Sequence, residues 1–99
     1  MRLSLNHIAT IRSLVAQLAG DSARVWLFGS RLNDTARGGD VDLLLDLPEP
    51  VAQPALLSAQ LGARVSRAMQ GRKVDVLIKA PNLQLLPIHR VALGQGVLL

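Results

Sequence analysis

The chain has 99 residues, enough for one domain spanning 1–99 that buries roughly 60–70 % of its unfolded surface. It is 49 % hydrophobic, yet Trp26 and Phe28 are its only aromatics, so the core must be built from Leu, Val, Ile and Ala. The formal net charge of +4 favours anionic ligands, and the absence of cysteine excludes disulfides, thiolate metal sites and cysteine nucleophiles.

Leu3, Leu5, Ile8, Ile11, Val15 and Leu18 recur every two to four residues, which predicts a helix with one apolar face. Ser4 is its expected N-cap, and Gly20 its stop. Arg24 to Gly29 is a short bulky run that reads as a buried strand. A turn-rich loop follows from Ser30 to Gly39. "DVDLLLDL", Asp40 to Leu47, reads as a second strand. Val41, Leu43, Leu45 and Leu47 lie on one face; Asp40, Asp42, Leu44 and Asp46 lie on the other.

The Pro-rich stretch Pro48 to Pro54 cannot continue a sheet. Pro54 suits the first turn of a helix reaching about Gln70, with Leu57, Leu61, Val65 and Ala68 or Met69 as its stripe and Gly71 beyond it. Lys73 to Lys79, "KVDVLIK", is expected as a third strand in a central position. A short helix is predicted around Ile88 to Leu93, before the apolar end "GVLL". The order α-β-loop-β-α-β-α predicts an α/β (α+β) domain, a small mixed sheet with helices packed on it.

No stretch approaches the roughly 18 apolar residues of a membrane span, and the polar start does not read as a signal peptide. A cytoplasmic setting is therefore expected. The basic residues are scattered, so direct binding of nucleic acid is not. The mean hydropathy of +0.31 is high for so small a domain and leads us to expect a partner or self-association face.

Asp40 and Asp42 project from one strand face with Cα atoms about 6–7 Å apart, so their side chains can converge on a metal ion. Mg²⁺ takes such hard oxygen ligands, with substrate phosphates and water completing its shell. Asp75 lies between apolar residues, where an unpaired carboxylate is costly unless it faces the same metal. Asp46 is the rival third ligand, but it lies about 13 Å beyond Asp42 along the strand. The bland reading of each acid is a solvated turn or strand-end residue.

Gly29 lets an anion approach the backbone closely after the first strand. The N–H groups that follow, the Ser30 hydroxyl and the Arg31 guanidinium can hold phosphate oxygens. Alone, "GS" is most often an ordinary turn. His7 and His89 have no partner at metal-ligand spacing and read as structural or exposed, and Arg90 reads as a surface residue.

Strand-Gly-Ser, a loop, Asp-x-Asp leading a hydrophobic strand, a helix and a third acid on a later strand resemble the DNA polymerase beta-like nucleotidyltransferase superfamily. The residues that carry this resemblance are "FGSRLNDTARGGDVDLLLDL" and Asp75 in "KVDVLIK". The nine residues between Ser30 and Asp40 are a minor departure in spacer length. Within that superfamily the chain is similar to the minimal nucleotidyltransferases of prokaryotes, which often end in a segment like "PIHRVA" from Pro87. Many of those are antitoxins paired with a HEPN-domain ribonuclease toxin.

The resemblance implies transfer of AMP from ATP onto a hydroxyl, in such a pair a toxin tyrosine. Asp40, Asp42 and Asp75 would bind Mg²⁺, with Asp75 as the base on the acceptor, and Gly29, Ser30 and Arg31 would hold the triphosphate. Only twenty residues follow Lys79, so the acceptor platform is expected from a second copy or a separate protein. Two other readings stand beside this one: an antitoxin that neutralises by contact alone, and a transferase acting on small molecules or RNA.

Overall fold

The computed structural model describes residues 4–28 and 41–99. Helix α1 spans Leu5–Ala19. The Ser4 hydroxyl caps it by accepting the His7 N–H at 3.0 Å. Gly20 ends it with a φ of 93°, a conformation that glycine adopts without steric penalty. Strands β1 (Arg24–Phe28) and β2 (Val41–Asp46) pair antiparallel. Helix α2 (Pro54–Ala68) then returns the chain to β3 (Val74–Lys79), which runs parallel to β2. Helix α3 (Pro87–Gln95) leads into a two-residue strand, β4 (Val97–Leu98), antiparallel to β1.

The sheet order is β3-β2-β1-β4. Strand alternation divides its side chains between two faces. Val25, Leu27, Val41, Leu43, Leu45 and Ile78 form one core with Ile11 and Val15 of α1 and Leu61 and Val65 of α2. The opposite face carries Trp26, Leu44 and Leu77, which are cross-strand neighbours. Leu44 is fully buried, and α3 packs on β1 and β2 over this face with His89 and Ala92 buried.

The structure corrects the expected place of the third strand. β3 is an edge strand, not a central one. An exposed edge invites pairing with other chains unless it is covered. Here two outward carbonyls are occupied from opposite faces: the Ser58 hydroxyl of α2 donates to Val76 O at 2.8 Å, and His89 Nε2 of α3 to Ile78 O at 2.9 Å. His89 Nδ1 accepts the Leu86 N–H at 2.9 Å, which assigns the neutral ring its proton on Nε2.

The strand β4 was not expected from the sequence, because two residues carry no readable period. Gly96 permits it: a Cβ there would collide with Ala92 O and lie 3.1 Å from Leu27 O. Leu99 completes the ladder by donating its N–H to Val25 O at 2.9 Å, and it packs on the core. Val97 and Leu98 stay half-exposed. No helix among the described residues is long and apolar enough to cross a membrane.

Candidate active site

Asp42 and Asp75 are direct neighbours in the parallel register of β2 and β3. Their Cα atoms are therefore about 4.8 Å apart, and their side chains leave the same face. Asp42 is half-buried and Asp75 exposed. The exposure of Asp75 removes the desolvation argument made for it from the sequence, since water reaches an edge-strand carboxylate. Position, not burial, associates it with Asp42.

Three cross-strand rows share this face. At one end, Arg24, Asp46 and Lys79 stand side by side. Lys79 Nζ lies 3.5 Å from Asp46 Oδ1, so the acid that was considered as a rival ligand has a cation beside it. Trp26, Leu44 and Leu77 form the middle row, beneath α3. Phe28, Asp42 and Asp75 form the last. The end rows share an aspartate on β2 but differ on β3, where one has a lysine and the other a second acid. Like charges directly opposite one another are destabilising. Two carboxylates in one row supply the hard oxygen donors that Mg²⁺ takes, and a cation between them would relieve their repulsion.

Gly29, Ser30, Arg31 and Asp40 lie outside the described residues. The described strands nevertheless fix where that segment is attached. The chain leaves β1 after Phe28, opposite Asp42, and re-enters β2 at Val41, next to Asp42. Among the described residues no group of three His, Cys, Asp or Glu side chains is placed to hold a metal. The described part of the site is the Asp42–Asp75 pair.

His89 is a buried structural residue at the α3–β3 junction, while His7 sits in α1 with its Nδ1 buried. Arg90 is exposed on α3. A cavity of about 540 Å³ between α1, β1 and the chain end is lined by Arg12, Ser13, Arg24 and Leu99. It contains neither carboxylate, so we do not assign it to the site. Phe28, which the register sets directly opposite Asp42, is not among the site residues that the sequence predicts.

The family model for the nucleotidyltransferase domain matches residues 8–93 of the 99. No curated protein matches the chain.

Proposed function

This chain belongs to the nucleotidyltransferase domain family, and from that premise we propose that it transfers AMP from ATP to a hydroxyl of a partner protein in the cytoplasm. The partner we favour is a HEPN-type ribonuclease toxin, with this chain as its antitoxin. The observation that carries the reading is the in-register pair Asp42 and Asp75 at the end of β1 from which the Gly29-Ser30 segment departs.

Asp42 and Asp75, with Asp40, would hold Mg²⁺. When bound, the ion supplies charge stabilisation for the phosphoryl oxygens. Gly29, Ser30 and Arg31 would hold the triphosphate so that its α-phosphorus faces the acceptor. The acceptor oxygen forms a bond to the α-phosphorus as the bond from phosphorus to the bridging oxygen breaks. Pyrophosphate leaves with that electron pair, and the acceptor proton passes to the Asp75 carboxylate. The protein's part is mostly positioning.

A second reading, neutralisation by contact alone, is favoured by apolar side chains on and beside α3. Leu85, Leu86, Ile88 and Val91 are each 44–50 % exposed. One experiment separates the two. The chain is incubated with labelled ATP, Mg²⁺ and the product of the neighbouring gene. Label should pass to that product, and Asp42→Asn should abolish both transfer and neutralisation. If Asp42→Asn neutralises fully and no label moves, the contact reading stands instead.

A further inference from the structure

The cavity between α1, β1 and β4 lies apart from the carboxylate pair. Arg24 opens β1 opposite Asp46, whereas Asp42 stands opposite Phe28, four residues on or about 13 Å along the strand. Arg12 of α1 and Arg24 both line the cavity, and both are exposed. Arg24 has a carboxylate across the strand pair at Asp46, but Lys79 Nζ lies 3.5 Å from that carboxylate. Among the described residues the side chains of Arg12, Asp21 and Arg24 make no ion pair and no hydrogen bond. Asp21 lines the cavity too, which leaves the three side chains with one net positive charge. The Ser13 hydroxyl, also on the wall, accepts from Gln17 Nε2 at 3.5 Å and keeps its own proton to donate.

We propose that this cavity binds a phosphomonoester that carries a sugar, a sugar phosphate or a nucleoside monophosphate, with its phosphate on Arg12 and Arg24 and a sugar hydroxyl on Asp21. The volume of about 540 Å³ falls within the roughly 300–1,000 Å³ of small-molecule sites. A bare phosphate ion would leave most of it empty, so the ligand has a carbon body, for which Val25 and Leu98 supply apolar wall. Guanidinium groups hold phosphate oxygens through charge-assisted, often bidentate hydrogen bonds. A carboxylate accepts from hydroxyl groups and repels further negative charge. One net positive charge therefore suits a monoester and disfavours a triphosphate, so the cavity is not a second site for ATP.

The test titrates the full chain calorimetrically with ribose 5-phosphate, AMP, inorganic phosphate and ribose, in EDTA so that no divalent ion draws a phosphate to the carboxylate pair. Ribose 5-phosphate or AMP should bind saturably, inorganic phosphate about tenfold more weakly, and ribose not measurably. Arg12→Gln and Arg24→Gln should each weaken binding of the ester about tenfold. Arg90→Gln, which removes an exposed charge outside the cavity, should not. Asp21→Asn should tighten binding of inorganic phosphate and erase the preference for the ester. Tighter binding of AMP than of ribose 5-phosphate would identify the ligand as a nucleotide, and equal binding as a sugar phosphate. Unchanged melting temperatures of the ligand-free variants show that they are folded. Equal losses from Arg90→Gln and the cavity variants would reduce the effect to net charge and overturn the proposal. So would the absence of saturable binding by either ester, or inorganic phosphate binding as tightly as the esters.

Discussion

Asp42 and Asp46 are the same residue on the same face of one strand, and their neighbours separate their roles. Asp46 stands between Arg24 and Lys79, whereas Asp42 stands between Phe28 and Asp75. The solvent-accessible, half-buried pair at Asp46 contributes at most about 1 kcal/mol, so its interest is the contrast it provides. Replacing Asp75 with Asn should separate chemistry from stability. Removing one of two apposed charges should leave the metal-free protein as stable as before, or raise its stability by up to about 1 kcal/mol. Transfer should fall by roughly 10²- to 10⁴-fold, the usual contribution of a general base. Paired measurements of urea unfolding and label transfer check this. A variant that unfolds early would mean that Asp75 is structural. Of the two grounds the sequence offers for Asp75, the resemblance is untouched, whereas the cost of burial does not apply to an exposed carboxylate; the register adds its apposition to Asp42. Which carboxylates are neighbours depends on strand order, and that is a long-range property of the chain.

At the scale of elements, local chemistry was enough for the helices. Ser4 and Gly20 bound α1 where the capping pattern placed them, and Pro54 opens α2. The alternation in Asp40–Leu47 likewise identified the face of β2 that carries the acids. The sheet order was not legible in the same way. "VDVLI" has the apolar content of a central strand, yet β3 lies at the edge, where Ser58 of α2 and His89 of α3 occupy two of its outward carbonyls. His89 is the clearest example of a residue whose role needs tertiary context. The sequence predicts it to be structural or exposed; in the structure its Nε2 joins α3 to β3 at Ile78 O, while its Nδ1 accepts the Leu86 N–H at the helix's own N-cap. His89→Ala should leave Ile78 O and the Leu86 N–H without these partners and open a cavity. A loss of about 2–4 kcal/mol in unfolding free energy is expected from these two effects together. Thermal or urea denaturation measures it, and an unchanged midpoint would show that α3 is held by its apolar contacts alone.

Over the whole molecule the two faces of the sheet are unequal. Helices α1 and α2 cover one face with a continuous core, while α3 packs on β1 and β2 over the other, where among the described residues Asp75 is exposed and Asp42 half-buried. The site therefore sits on the rim of the core rather than within it. None of its side chains belongs to the cluster that holds the fold together, so substitutions there should yield folded proteins whose ligand binding can be measured. The formal charge of +4 draws anions toward the molecule as a whole, whereas the carboxylate pair repels a bare triphosphate locally. Nucleotide should therefore bind with its divalent ion and poorly without it. A ligand that binds only the native state at 100 times its Kd stabilises by about 2.7 kcal/mol. For a domain of this size that corresponds to a melting temperature raised by roughly 10 °C or more. MgATP should produce such a shift in the parent chain, ATP with EDTA a much smaller one, and MgATP with Asp42→Asn almost none. Equal shifts with and without the metal would mean that the nucleotide binds away from the carboxylates, at a place such as the cavity lined by Arg12 and Arg24.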